Sequence, residues 1–360
     1  MPDVISSYTD AELAYLDSKR GTKTREQYQH DASIAGYVPP VTATWSDYLG
    51  VCADFSTANL DLMAAIGAKW LRTSPEYGWN IGPAQIKPQT DALRARGMKH
   101  LVVVQYAGHN YDAVINNATT RTAFINWVAS LAPVCDAIEV LNEPNLTSVF
   151  WTGIYDPTWK TQAKLMYDVA VACKKANPNI TMITGGMSPY GNDDGGKLVK
   201  WPQSLLPLLL AEIDRLAVAG GYTGIAALFG GIGQHLYETK YDPRTNFDNN
   251  HPGWWAVKRN RTVWQGGSAT GTSGTWNWAG IARYGLPIWN TEFGQKRADF
   301  ASDSAAATHM GFYFDEYEAQ RVAGIKFGPS IVISKTAFDG DWRLDAMTQA
   351  RIKTQSTKPW

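Results

Sequence analysis

The stretch DAIEVLNEP, residues 136–144, carries the reading of the fold. It is a short, largely apolar run that ends in Asn142-Glu143-Pro144, where proline cannot donate to a sheet ladder and so helps to end the strand. Seven more short apolar runs have the same look: YLGVCADF (48–55), KWLRTS (69–74), KHLVVVQYA (99–107), ITMITGGMS (180–188), IAALFGGIGQHLY (225–237), LPIWNTEFG (286–294) and GIKFGPSIVIS (324–334). Helical patterns lie between them, among them TANLDLMAAIGA, IKPQTDALRARG, TTRTAFINWVASLA, PTWKTQAKLMYDVAVACKKA, PQSLLPLLLAEIDRLAVAG and DSAAATHMGFYFDEYEAQRVAG. Each opens near a capping residue or proline, and several stop at glycine. Strand and helix alternating through eight units predict an α/β protein whose parallel sheet closes into a (β/α)8 (TIM) barrel. In such a barrel the reactive side chains stand at the carboxyl ends of the strands.

Outside this pattern, residues 1–45 read as a polar helical arm, with TDAELAYLDSKRG as a capped helix and TREQYQHDASIAGYVPP as a second that stops before Pro39-Pro40. The chain thus divides into an arm, 1–45, and a barrel, 46–360. The arm either packs on the barrel exterior or serves as an assembly contact. The sixth unit is irregular: residues 238–281 form a long segment rich in Gly, Asn and Trp, and a barrel insertion of that length is usually functional or disordered.

Composition narrows the partner. Lys plus Arg and Asp plus Glu both number 33, which leaves no electrostatic footprint for nucleic acid or an anionic membrane. No apolar run approaches a membrane span, and the opening MPDVISSYTDAELAYLDSKRG lacks the apolar region of a secretory signal. The 15 Trp and 17 Tyr exceed what a core requires, and aromatic faces grip the apolar faces of sugar rings. Cys52, Cys135 and Cys173 are an odd set, read as buried free thiols. The histidines at 30, 100, 109, 235, 251 and 309 show neither HxH nor HExxH spacing, and no P-loop, GxGxxG before a helix, or GxSxG elbow occurs. Neither metal nor cofactor is expected.

By strand count, Glu143 closes the fourth strand and Glu292, in Trp289-Asn290-Thr291-Glu292-Phe293-Gly294, closes the seventh. A single such Glu is most often a solvated loop residue; two at opposite walls of a barrel mouth are a far rarer coincidence. With Asn142 before the first and Thr291-Glu292-Phe293-Gly294 around the second, the chain resembles the clan A glycoside hydrolases, retaining (β/α)8-barrel enzymes, nearest to families 5 and 39. The resemblance spans residues 48–345 in layout, and its motifs are short. It implies Glu143 as general acid/base and Glu292 as nucleophile, with Arg72 steadying the nucleophile, Asn142 bonding the sugar 2-hydroxyl, and His235 and Tyr237 around the reacting sugar. It also implies an aromatic residue after strand eight, where SIVISKTAFDGDWRL offers Phe338 or Trp342 without a clean match.

Retention needs two carboxyl groups about 5–5.5 Å apart, one to protonate the leaving oxygen and one to attack the anomeric carbon. Asn142 and Glu143 are adjacent, so both reach one site only if the strand twists or bulges at its end. Plainer roles stand beside these: Asn142 as a turn-former, Arg72 in a surface pair with Glu76, His235 as a structural residue. His235 and Tyr237 share a strand face with Gly233, a spacing that admits a close-approaching ligand. Aromatics gather on the connecting loops: Trp79, Trp151, Trp159, Trp254, Trp255, Trp264, Trp276 and Trp278. A subset lining a cleft would favour an endo-acting polysaccharidase with an oligo- or polysaccharide substrate.

Other readings are an aldolase or phosphosugar isomerase, for which Lys326 is the tempting Schiff-base lysine, and a non-catalytic carbohydrate-binding or structural barrel such as a phage tail component. A tail-borne enzyme acting on a cell-envelope glycan would join the arm to the catalytic reading.

Overall fold

The computed structural model describes residues 43–106, 111–145, 160–188, 202–235, 264, 266–271, 274–334, 336–337, 340–341 and 343–360. Eight strands form the barrel: β1 Leu49–Cys52, β2 Trp70–Thr73, β3 Lys99–Tyr106, β4 Ala137–Asn142, β5 Thr181–Gly186, β6 Ile232–His235, β7 Ile288–Phe293 and β8 Phe327–Ile333. Their order is β5-β4-β3-β2-β1-β8-β7-β6, parallel throughout. The ring closes between β5 and β6 through the parallel bridges Ile183↔Gly231 and Met187↔Gln234. The (β/α)8 barrel is thus the observed architecture, with each strand inside the run that the sequence marked.

Helices α1 Thr57–Ile66, α2 Pro83–Arg94, α3 Ala118–Leu131, α4 Lys160–Ala176, α5 Pro202–Ala219, α6 Asp303–Val322 and α7 Ala346–Ser356 pack around the ring. Their starts follow local chemistry. Ser56, Asn117, Ser302 and Asp345 cap α1, α3, α6 and α7 through their side chains, and Pro83 opens α2 where its missing N–H costs nothing. In the sixth unit Ile225–Ala227 is a 3-10 turn, so β6 is much shorter than the apolar run that announced it. A hairpin of Gly266–Gly271 with Gly274–Ala279 then leads towards β7. Among the described residues no helix is long and apolar enough to cross a membrane. Of the arm expected over residues 1–45, all but Ala43, Thr44 and Trp45 lie outside the described residues.

Inside the ring, Cys52, Trp70, Leu101, Ala137, Ile183, Trp289, Ile331 and Ile333 form one buried cluster, as alternate residues of each strand point inward. The Trp289 indole fills the middle, edge-on to Trp70 at 5.1 Å between ring centroids. Gly231 and Gly328 make room for it: a Cβ at either would stand within 2.4 Å of the ring. The larger core lies between the ring and the helices. Cys52, Cys135 and Cys173 are buried free thiols, as expected.

Candidate active site

At the carboxyl end of β4 the backbone leaves regular strand geometry. Leu141 (φ 72°) and Glu143 (φ 45°) both sit in the left-handed region, which costs of order 1–3 kcal/mol apiece in a non-glycine residue. Alternation is broken there, and Asn142 and Glu143 reach the same site although adjacent. The Asn142 Oδ1 accepts from Arg72 Nη2 at 2.7 Å, and the Glu143 Oε1 lies 2.9 Å from His235 Nδ1. The Glu143 N–H donates to the Gly186 carbonyl at 2.9 Å, which ties this turn to β5. β7 has its own irregularity, a register shift between Asn290 and Glu292 that sets Glu292 opposite His235. Both carboxylates therefore project from strand ends that depart from regular pairing.

Arg72 of β2 is buried and joins the two walls. Its Nη1 is 2.5 Å from Glu292 Oε1, its Nε 2.9 Å from Glu139 Oε2, and its Nη2 reaches Asn142. The plain alternative, a surface pair with Glu76, is not what forms. Burial opposes the guanidinium charge, yet Glu139 and Glu292 hold its pKa well above the ordinary value.

His235 of β6 meets three carboxylates: Glu143 at 2.9 Å and Glu292 at 3.3 Å through Nδ1, and Glu139 at 3.8 Å through Nε2. Burial alone would depress the imidazolium, but Glu292 and then Glu139 and Glu143 push its pKa up to about 9. The surrounding carboxylates thus favour the protonated ring. Gly233 has another task than the one its spacing suggested: a Cβ there would lie 2.3 Å from the Thr184 carbonyl, so the glycine lets β6 approach β5, with no need of a ligand.

One oxygen from each of Glu143 and Glu292 and a ring nitrogen of His235 lie within 4.8 Å of one another. Three such donors could surround a cation, and the Arg72 guanidinium, 2.5 Å from Glu292, already places positive charge beside them. Cys52, at the end of β1, stands 3.7 Å from Glu292 Oε1 and 3.5 Å from Arg72 Nη1, so its thiol touches the site. Glu139 of β4 is wholly buried beneath it. The sequence reading passed over both. Glu139 had a signal: a carboxylate inside an apolar strand must have partners to be buried at all.

The expected aromatic lining is described at few positions. Trp79, on the connection after β2, is 59% exposed. Trp264 is buried and serves as packing. Trp276 and Trp278 lie on the hairpin that precedes β7. Tyr237, Trp151, Trp159, Trp254, Trp255, Phe338 and Trp342 lie outside the described residues. Lys326 precedes β8 and so stands at its amino end, opposite the carboxylate face, which removes the aldolase-type lysine.

No family model matches the sequence, and no curated protein matches it either. Solved structures do share the fold. The chain is similar to CelM2, a bifunctional glucanase-xylanase from a metagenome library, with TM-score 0.55 and 13% identity over 88% of this chain and 77% of that one. It is similar also to a β-1,4-D-mannanase from Cryptopygus antarcticus, with TM-score 0.50 and 13% identity over 87% and 92% of the two chains. An endo-1,4-β-mannanase from Rhizomucor miehei gives TM-score 0.50 and 10% identity over 86% and 93%. At such identities the likeness speaks to the fold: this chain has the barrel seen in those glycoside hydrolases.

Proposed function

We propose that the chain is a retaining glycoside hydrolase that cleaves β-glycosidic bonds in a polysaccharide, with Glu143 as acid/base and Glu292 as nucleophile. The observation that carries this reading is the pair itself. Two carboxylates rise from the ends of β4 and β7 with oxygens within 4.8 Å; both lie against His235, and Glu292 alone also pairs with Arg72. Oxygens this close, both gathered on one histidine, support the closely spaced pair that direct attack by a carboxylate requires.

In the first half-reaction Glu292 attacks the anomeric carbon while Glu143 gives its proton to the departing glycosidic oxygen. Arg72 holds the attacking carboxylate ionised and oriented. His235 Nδ1, 2.9 Å from the Oε1 of Glu143, fixes that carboxyl group's orientation and leaves Oε2 to carry the transferable proton. In the second half-reaction Glu143 takes a proton from water, whose oxygen attacks the glycosyl ester and frees Glu292. Net configuration is retained. Trp79, exposed beyond β2, fits a sugar-stacking platform, and the aromatic load of the loops favours an extended, endo-cleaved chain.

The test is digestion of a panel of plant, fungal and bacterial cell-wall glycans by wild type and Glu292→Gln, with products read by mass spectrometry and anomeric configuration by NMR. Cleavage with retention by wild type alone is the expected result. Inversion, or equal activity in the variant, defeats the assignment, and binding without cleavage by both proteins would move the reading to a carbohydrate-binding barrel.

A further inference from the structure

Glu139 lies at the centre of the polar cluster without facing the open barrel mouth. Its carboxylate accepts from Arg72 Nε at 2.9 Å and Nη2 at 3.3 Å, from the Gly186 N–H at 2.9 Å and from the Thr291 hydroxyl at 3.0 Å. His235 Nε2 is 3.8 Å away. One side chain thereby joins β2, β4, β5, β6 and β7. Gly186 is obliged to be glycine by this junction, since a Cβ there would stand 2.4 Å from His235 Nε2, 2.5 Å from Thr291 Oγ1 and 2.6 Å from Glu139 Oε1.

Two consequences follow from the geometry. A guanidinium is planar, so the grip of Glu139 on Nε and Nη2 fixes the plane of Arg72 and with it the direction of Nη1, which meets Glu292. The Thr291 hydroxyl, held by the same carboxylate, belongs to the residue before Glu292 in the irregular stretch of β7. The nucleophile's backbone and its counter-ion are thus both referenced to one buried anion. Burying a carboxylate for stability alone is a poor bargain, because well-packed apolar residues of similar volume do as well or better.

We propose that Glu139 is a positioning residue for catalysis: by holding Arg72 and Thr291 it sets where the Glu292 carboxylate sits and how its charge is balanced. The proposal rests on the glycosidase reading above. Burial opposes the ionised form of Glu139, and Arg72 foremost and His235 next favour it. Among the carboxylates facing His235, Glu139 acts with Glu292 and Glu143 to keep the ring charged.

The experiment first measures wild type on the glycan it cleaves; a wild type that cleaves none strikes the glycosidase reading itself and leaves nothing to assign to Glu139. Glu139→Gln and Glu139→Asp are then compared by kcat, KM, pH profile and thermal unfolding. Glu139→Gln keeps an acceptor for Gly186 and Thr291 but sets an amide against Arg72; kcat should fall about a hundredfold with KM changed by less than about threefold. The alkaline limb of its profile should move to lower pH, because His235 loses one of its anions. Glu139→Asp keeps the charge and shortens the reach, so kcat should fall about tenfold with the alkaline limb in place. A purely structural Glu139 would lower Tm in both variants and leave kcat and the pH limb of the folded enzyme unchanged, which overturns the proposal. If Glu139→Gln does not fold, Glu139→Asp decides: wild-type kcat overturns the proposal, and a loss of kcat at constant KM upholds it.

Discussion

Glu143 and Glu292 share a histidine, and the consequence at the scale of single residues is that each should fail differently. Glu143→Ala removes the proton donor and the base but spares the nucleophile. With an aryl glycoside whose leaving group needs no proton, the glycosyl ester should form and persist. Added azide should then speed turnover tenfold or more and yield a β-glycosyl azide, since a small anion can occupy the vacated space. Absence of rescue, or an α-azide, would reject the acid/base role. His235 supplies a pH test. Its folded pKa of about 9 stands above the ordinary 6.5, so its charge stabilises the fold in full below about pH 6.5, and that contribution is lost as pH rises through about 9. Wild-type Tm should decline over that window, and His235→Gln should show a flatter decline; equal slopes would discount the buried imidazolium. Glu143 and Glu292 were legible because each stands where an apolar run gives way to a turn residue, Pro144 and Gly294 in turn, whereas Arg72, Asn142 and His235 came from the resemblance to clan A. Glu139 and Cys52 were not, because inside apolar runs they look like exceptions to a pattern, and only the inward alternation of β4 and β1 reveals that they share the cluster.

At the scale of elements, the strands were readable because buried parallel strands leave continuous apolar runs, and the overestimated lengths reflect the same property: apolar residues continue past the last ladder hydrogen bond into turns that are also buried. The apolar stretch 225–231 shows this most clearly, as its first residues form the 3-10 turn Ile225–Ala227 before β6 begins. Helix α7 was missed for the opposite reason. Ala346–Ser356 buries Ile352 together with Thr348, Gln355 and Ser356, so its inner face is mostly polar and leaves little periodic signal. What marks the helix is its cap: Asp345 accepts from the Thr348 N–H and from its hydroxyl, both at 2.8 Å. Asp345→Ala should therefore cost about 1 kcal/mol and lower Tm by about 2 °C, with kcat intact. An unchanged Tm would show that packing against α6 and α1, and not the cap, holds α7 in place.

For the whole molecule, a closed barrel requires its first and last strands to meet, and here β1 lies between β2 and β8. The chain on either side is fastened at the amino end of β1. The Trp360 N–H donates to the Ala43 carbonyl and the Trp45 N–H to that of Lys358, each at 3.0 Å. The Trp360 ring stacks on Tyr48 at 4.1 Å and stands edge-on to Trp45 at 4.5 Å, while Trp45 packs on Phe314 and Tyr317 of α6. This nest lies at the opposite end of the strands from the carboxylates, so stability and chemistry occupy different faces, as barrels of this kind arrange them. Trp360→Ala should then cost about 3–5 kcal/mol through lost burial and a cavity, and reduce Tm by several degrees. Assayed well below both unfolding transitions, the variant should keep the kcat and KM of wild type. A fall in kcat without a fall in Tm would mean that strain at the amino end travels along β1 to Cys52 and the Glu292 carboxylate it touches, and that the two faces are coupled.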